Sequence, residues 1–523
     1  MIVLITTSGL GSRLGDLTSF LNKSIIRIGD KCPLDYIFDN YKNMSDVKFI
    51  ITIGYLGDIV KQYVNIAYGN KLNITFVEVD NYEDSGSSLG YSLLKAKKYV
   101  NEPFFFHCCD AIILEKIDIN MNTNNNILFG YTYNDSSHYS SLNISNGIVC
   151  LINEKGCDNY DYIYTGLAYI YNYKFFWEKL YQLYNDDPLK SNLSDIHAFN
   201  LMLKDGINFK FIHLKQYYDM GNMKSYNEII QALPCNYNIL YKKNESIIFH
   251  KDKVIKYFYD ENINKNKLKR IKYIGENLVP KIFSKSKNYH SMELIDSMPL
   301  SEIYEKGLIY KLLVWADKNL WVKNKNIDNF ENICYNFYYT KTWKRIKKYF
   351  NDKRNIDYNI INNVNVGSID NLLKKINFKK LCKDPPTNYH GDFILDNILL
   401  RKNKEFCLID WRQDFGGDIE RGDKYYDLAK LQHNIYFNHS NINKNLFNIK
   451  IIDENRCEVD MKCNFFLINQ MIDFDKFIIE NNIDKKKINI LNGLIWINMA
   501  PLHNYPLSNF LFNLGKYMLI NNI

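Results

Sequence analysis

The chain has 523 residues, which at about 100–200 residues per domain predicts two or three domains instead of a single core. Its hydrophobic fraction of 46% lets each domain bury a core, and a net charge of +8 admits small anionic substrates while excluding a nucleic-acid-binding signature. Eleven cysteines, odd in number and without a CxxC pair, exclude a disulfide framework and a zinc site and read as reduced thiols in a cytoplasmic protein.

The opening stretch, MIVLITTSGLGSRLG, has no basic n-region and reads as a buried first strand, not a signal peptide. No segment is long and apolar enough to span a bilayer, so no membrane partner is expected; the most apolar late stretch, 490–500, is broken by Asn492, Gly493 and Asn498. Abundant Asn, Lys, Ile and Tyr read as the codon bias of an AT-rich genome. Along the first 110 residues, apolar runs at 2–7, 49–54, 72–79 and 103–109 predict strands. Helical spacing at 33–41, 58–67 and 88–99 falls between them. This alternation predicts βαβ units: a Rossmann-like α/β domain with a mostly parallel sheet and helices on both faces, binding ligand beyond the carboxyl ends of its strands. From 127 to about 232 the alternation is less regular and ends in the turn Tyr218-Asp219-Met220-Gly221 before a short helix. A second style begins near 238: a hairpin set at 238–258, a helix at 262–276, and mainly helix from 304, interrupted by a loop-and-strand region at 390–410. There is no internal repeat and no Gly/Ser linker, so a domain at 1–233 is expected to join directly to one at 238–523.

The first chemical constellation is Thr7-Ser8-Gly9-Leu10-Gly11-Ser12-Arg13-Leu14, immediately after the first strand. Glycines there let backbone N–H groups approach a phosphate, and Arg13 and Lys23 supply cations for a triphosphate and a developing pyrophosphate. The turn Ser85-Gly86-Ser87-Ser88-Leu89-Gly90 opens a helix whose amides suit a base or phosphate. Asp110 and Asp219, both at strand ends, form a carboxylate pair suited to Mg²⁺, which takes few protein ligands. With these motifs, 1–230 resembles the sugar-phosphate and phosphocholine nucleotidyltransferase family. Gly9, Gly11, Arg13 and Lys23 match its GxGxR…Lys signature, and Ile53-Gly54-Tyr55 and Tyr218-Asp219-Met220-Gly221 match further blocks. The resemblance implies that Ser8, Gly9, Gly11, Ser12, Ser87 and Ser88 bind nucleotide, that Arg13 and Lys23 contact phosphates, and that Asp110 and Asp219 hold the metal. It implies attack of a substrate phosphate on the α-phosphorus of an NTP. Asn22 stands where the family usually has proline, and Cys109 where a glycine usually precedes the aspartate.

The second constellation is His390-Gly391-Asp392-Phe393-Ile394-Leu395-Asp396-Asn397, followed by Cys407-Leu408-Ile409-Asp410-Trp411. Phosphoryl transfer to an alcohol needs an Asp at the hydroxyl and an Asn and a second Asp for Mg²⁺, a set that Asp392, Asn397 and Asp410 supply. With HGDxxxxN and IDW intact, roughly 240–520 resembles the aminoglycoside phosphotransferase and choline kinase family. An α+β, protein-kinase-like fold is implied, with an N-lobe at about 238–298 and a helical C-lobe at about 299–523. By that resemblance Lys256 pairs with ATP phosphates, and Glu293 and Leu294 lie in the hinge that receives adenine. No glycine occurs from 222 to 274, so the phosphate loop is a polar one, 242–246. His390 and the second Asp of Asp423-Lys424-Tyr425-Tyr426-Asp427 are expected to be structural. His107 is expected in the core, Asp396 as a loop cap, and Trp315, Trp321 and Trp343 as core instead of a cage for a quaternary ammonium.

Together the two resemblances predict a bifunctional enzyme. The kinase phosphorylates a small alcohol with ATP, and the transferase couples the product to a nucleotide, with CTP favoured by the 85–92 loop, giving an activated precursor for a surface polysaccharide. The acceptor is left open among a sugar, a polyol such as glucitol, an amino alcohol such as choline, and an amide such as glutamine. A uridylyl- or thymidylyltransferase joined to a sugar kinase is the alternative within enzymes, and a nucleotide sensor without turnover the alternative outside them. Homo-oligomerisation is left open.

Overall fold

The computed structural model describes residues 1–117, 124–237 and 242–523; the part of the expected junction and hairpin set at 238–241 lies outside the described residues. Contacts divide the chain into two compact units, one of 1–261 with 282–292 and the other of 262–281 with 293–523. The division thus falls elsewhere than the 233–238 junction expected from the change in sequence style.

The first unit opens with β1 (Ile2–Thr6), α1 (Pro33–Tyr41), β2 (Lys48–Ile53), α2 (Gly57–Tyr68), β3 (Asn73–Glu78), α3 (Leu89–Ala96) and β4 (Phe104–Cys108), as the apolar runs predict. All five residues of β1 are buried, the pattern of a strand covered on both faces. Pro33 at the first turn and the Asp35 carboxylate, which accepts the Cys32 N–H at 3.0 Å, start α1. The Ser88 hydroxyl caps α3 by accepting the Tyr91 N–H at 3.0 Å.

The later strands are β5 (Ala111–Ile113), β6 (Asn126–Tyr131), β7 (Ser141–Ser145), β8 (Ile148–Asn153), β9 (Tyr162–Ile170), β10 (Phe209–His213) and β11 (Tyr217–Asp219). With them come the helices α4 (Tyr173–Asp186), α5 (Asp195–Lys204) and α6 (Met223–Ala232). The main sheet has nine strands in the order β3-β2-β1-β4-β9-β6-β10-β8-β7. β3-β2-β1-β4 is parallel, but β9 runs antiparallel to β4, β6 and β7, and β8 antiparallel to β7 and β10. The expectation of a mostly parallel sheet is therefore corrected: β3-β2-β1-β4 and the β6–β10 pair are parallel, while the remaining pairings are antiparallel, the tight β7–β8 hairpin among them.

A four-stranded sheet, β12 (Glu245–His250), β13 (Lys253–Phe258), β14 (Ile282–Lys285) and β15 (Tyr289–Glu293), in the order β12-β13-β15-β14, belongs almost wholly to this first unit. Its Ile248, Ile255, Tyr257 and Tyr289 share one core with Ile37, Val60 and Tyr63 of α1 and α2. Lys253 Nζ donates to the carbonyls of Ile66 and Ala67 at 2.9 and 2.6 Å, closing the end of α2. Buried Asp35 accepts from Tyr63 and Tyr68 and lies 3.7 Å from His250 Nδ1.

The second unit is mainly helical, as expected. Its core is built from helices such as Leu308–Asn319, Lys424–Tyr436, Lys485–Met499 and Leu507–Ile520. Strands Ile398–Leu400 and Phe406–Leu408 pair within the expected 390–410 interruption. A further sheet, of Ile360–Ile361, Val364–Asn365, Phe447–Ile451 and Arg456–Met461, falls where helix was expected. In Arg456–Met461 buried Cys457 and Val459 alternate with residues open to solvent, a period-2 signal that the surrounding helical stretches obscure.

Candidate functional site

In the first unit, the loops after β1, β2 and β4 lie side by side at the carboxyl ends of parallel strands. Thr7 is fixed from both ends, its N–H and its hydroxyl donating to the Thr52 carbonyl at 2.9 and 2.7 Å. The Ser8 hydroxyl shares a 2.8 Å hydrogen bond with Ser92 of α3, and the Ser8 carbonyl accepts the Tyr55 N–H at 2.9 Å. A Cβ at Gly54 would stand 2.8 Å from that carbonyl, which is why a glycine occupies the end of β2. Gly9, Ser12 and Arg13 are exposed, Gly11 is half-buried, and Gly11 adopts φ +67°. Ser87 is held in a turn by its N–H to the Asp84 carbonyl, the Ser88 hydroxyl caps α3, and the Gly90 N–H at that helix start is committed to the Leu193 carbonyl at 2.8 Å.

Asn22 is fully buried and makes four hydrogen bonds. Its Nδ2 donates to the Thr7 and Tyr55 carbonyls at 2.9 and 2.7 Å, and its Oδ1 accepts the Ser24 N–H and hydroxyl at 3.0 and 2.8 Å. One side chain thus ties the glycine loop, the β2 loop and the turn that presents Lys23.

Lys23 Nζ donates to Asp110 Oδ2 at 2.9 Å. The antiparallel pairing of β5 with β11 sets Asp219 opposite Ala111, and the Met220 N–H donates to the Asp110 carbonyl at 3.0 Å, so the two aspartates meet at one place. Burial raises the Asp110 carboxyl, but Lys23 and, further off, Arg13 outweigh it and hold the group down at about 2. Burial works against the Lys23 charge, and Asp110 overcomes it, holding the ammonium above its ordinary value. Asp219 is pushed up, first by burial and then by the charge of Asp110, although Gly221 N–H and the Tyr139 hydroxyl donate to it at 2.8 and 3.1 Å. Two carboxylates held this close, one of them destabilised as an anion, fit a divalent cation that keeps most of its water. Among the described residues no group of three or more His, Cys, Asp or Glu side chains is placed to hold a metal ion. His107 is a core residue: its ring is bonded to the Tyr41 hydroxyl and the Ala111 carbonyl, and burial pulls it down to about 4.

In the second unit, the 390–397 loop is held from beneath. Asp427 accepts the N–H groups of His390 and Gly391, both at 2.7 Å, and the Trp321 indole N–H at 3.0 Å. Burial pushes its carboxyl up to about 6, and those donors work in the other direction. His390 is structural, one ring nitrogen on the Ile409 carbonyl and the other accepting the Asp392 N–H. Gly391 has φ +86°, and a Cβ there would lie 2.6 Å from Arg412 Cβ. Asp396 accepts from Ser301 and Asn434 and fastens the loop. Asn397 Nδ2 donates to the Asp392 carbonyl and carboxylate at 3.0 and 3.1 Å, which turns its Oδ1 into the atom suited to a cation. Asp410, at the left-handed φ of +53°, lies 3.1 Å from Lys267 Nζ. Burial raises the Asp392 carboxyl, but Lys430, 2.8 Å away, overrides it and brings it down to about 2.

Asp392, Asn397 and Asp410 are brought together. Lys256, buried on β13, belongs to the other compact unit. Glu293 uses its side chain on Arg401, at 3.0 and 3.1 Å, and its N–H on the Lys281 carbonyl; Leu294 follows, half-buried. Trp321 is core, while Trp315 and Trp343 are half-buried. Lys267, Lys430, Tyr139 and Ser92 went unassigned from sequence, because a lysine or tyrosine inside a helical or irregular stretch carries no local mark of the carboxylate it will meet.

No protein-family model matches the chain, and neither does any curated protein. Among solved structures, it is similar to the CTP:phosphocholine cytidylyltransferase of Streptococcus pneumoniae, at 18% identity over 44% of this chain and 99% of that one, with a TM-score of 0.38. It is also similar to the inositol-1-phosphate CTP transferase of T. maritima, at 18% identity over 45% and 98%, with a TM-score of 0.35. A UDP-glucose pyrophosphorylase complexed with UDP-glucose is similar at 16% identity over 44% and 97%, with a TM-score of 0.37.

Proposed function

We propose that the first unit is a nucleotidyltransferase that joins a phosphorylated small molecule to an NTP, most favourably CTP, and that the second is an ATP-dependent kinase that makes the phosphorylated partner. The observation that carries the first reading is the convergence of Lys23, Asp110 and Asp219 beside the exposed Gly9–Arg13 turn. A substrate phosphate attacks the α-phosphorus and pyrophosphate leaves. Backbone N–H groups of the turn, Arg13 and Lys23 neutralise the charge that builds on the leaving group, and no protein nucleophile is required. Asp110 and Asp219 would hold Mg²⁺, which there supplies charge neutralisation across the phosphates.

The second reading rests on Asp392, Asn397 and Asp410. Asp392, ionised throughout the neutral range, accepts the acceptor hydroxyl's hydrogen and orients its oxygen, while Asn397 Oδ1 and Asp410 are the groups that would hold Mg²⁺. Glu293 and Leu294, within the second unit, would meet the adenine of ATP. The product would be a nucleoside-diphosphate-activated building block for a surface polysaccharide, made in the cytoplasm.

Pyrophosphate release with Mg²⁺ and each of CTP, UTP and dTTP, against phosphorylated sugars, polyols and amino alcohols, tests the pair. Asp110→Ala is expected to lower release by at least about a hundredfold, the scale of removing one transition-state stabiliser, with ATP consumption retained. Asp392→Asn is expected to do the reverse. Undiminished activity in either variant removes that residue from its role, and a preference for UTP or dTTP replaces CTP.

A further inference from the structure

The helix that begins at Phe330 loosens into a π-turn at Asn336–Thr340 before resuming at Lys341–Tyr349. Such a widened turn re-aims the side chains around it and recurs at functional sites. Here it presents Phe337, Lys341 and Arg345. Lys341 Nζ lies 3.8 Å from the centre of the Phe337 ring and 5.7 Å from that of Tyr426, and the Arg412 guanidinium lies 5.1 Å from the same Phe337 ring. Tyr426 is one helical turn from Lys430, whose ammonium sits 2.8 Å from Asp392. Lys341, Arg345, Arg412 and Lys430 therefore lie near one another, with Lys430 on the proposed base and Asp414 the carboxylate that acts on Lys341. Among the described residues Lys341, Arg345 and Arg412 form no salt bridge, and Arg412 Nε is buried without a hydrogen-bond acceptor. All three are half-buried.

Like charges crowded in a partly desolvated recess repel one another, and a protein that keeps them without carboxylate partners loses stability there. Burial, then Arg412, Arg345 and Lys430, pushes the Lys341 ammonium well below its ordinary value, and burial with Arg412 lowers Arg345. An anion bound among them removes that repulsion. The position selects which anion. Asp410, the carboxylate on the cation side, has its own lysine in Lys267, whereas this cluster is joined through Lys430 to Asp392, the group that meets the acceptor hydroxyl.

Resting on the kinase reading above, we propose that the alcohol phosphorylated by the second unit is itself an anion, carrying a carboxylate or phosphate that Lys341, Arg345 and Arg412 hold while Asp392 receives its hydroxyl. Phe337 and Tyr426 form the apolar wall beside it. A quaternary ammonium such as choline would be repelled from this recess.

The test uses the full chain with Mg²⁺ and ATP and four probes: glycerate, glycerol 3-phosphate, glycerol and choline. Binding is read by calorimetry and transfer by ADP release. Glycerate or glycerol 3-phosphate is expected to bind and accept phosphate in preference to glycerol and choline, and the stronger of the two tells carboxylate from phosphate. Arg345→Gln is expected to raise the KM for that anion roughly tenfold to a hundredfold, the value of a charge-assisted bond, with the KM for ATP unchanged. Failure of both anions to bind, preference for glycerol or choline, or a rise in the KM for ATP instead overturns the proposal. Transfer to glycerol or choline without anion binding overturns it and leaves the kinase reading intact. Anion binding that Arg345→Gln abolishes, with no transfer to any probe, supports the anion site and removes the kinase reading.

Discussion

Asn22 gives the sharpest test of how the loop after β1 is held. Truncation to alanine strands the buried Thr7 carbonyl and Ser24 N–H and the partly buried Tyr55 carbonyl, while the Ser24 hydroxyl can rotate to another acceptor. At roughly 1–3 kcal/mol for each buried group left unsatisfied, with partial relaxation, the loss is about 3–5 kcal/mol. For a unit of this size that corresponds to a fall in Tm of roughly 6–20 °C. Asn22→Asp is nearly the same shape and keeps the bonds from Ser24, yet it sets an acceptor against two carbonyl oxygens, so it is expected to be no more stable than the alanine variant. Asn22→Pro fits the local φ of −66° and gains about 0.4–1 kcal/mol from a stiffer unfolded chain, but still loses the four bonds and falls between wild type and alanine. Calorimetry gives the totals. Hydrogen exchange at the Tyr55 and Thr7 amides reports the loop itself, with exchange about a hundredfold faster for a 3 kcal/mol local loss. An alanine variant within about 0.5 kcal/mol of wild type, or a stable Asn22→Asp, refutes the reasoning.

Lys430→Met removes the charge that holds Asp392 at about 2, so burial dominates and the carboxyl rises. The proposed base acts ionised, so the acid limb of the proposed kinase reaction's pH–rate profile is expected to move to higher pH by about one to three units; an unshifted profile would separate Lys430 from Asp392 in solution. A chain ending at 237 loses Ile248, Ile255, Tyr257 and Tyr289 from the first unit's core. At about 1.5–3 kcal/mol each this is roughly 6–12 kcal/mol, close to the whole stability of a domain. Residues 1–237 alone are expected not to unfold cooperatively in calorimetry, and a sharp transition near that of the full chain would show that the small sheet is dispensable.

Local signals carried much of this molecule. Runs of buried apolar residues announced β1, β2 and β4. Asp392, Asn397 and Asp410 fall within one short stretch, so that a loop and one hairpin suffice to assemble them. The Gly9–Arg13 turn was equally plain, because a tight turn with Gly11 at φ +67° needs particular residues at particular steps. Three things depended on the folded chain. Asp219 meets Asp110 only through the β5–β11 ladder, the small sheet joins the first unit through apolar faces that carry no address, and Lys267, Lys341 and Lys430 look like solvated lysines until burial sets each beside a carboxylate or another cation. Periodicity and turn chemistry are properties of neighbours along the chain. The partner of a buried charge is chosen by desolvation, and desolvation exists only once distant segments have closed over it.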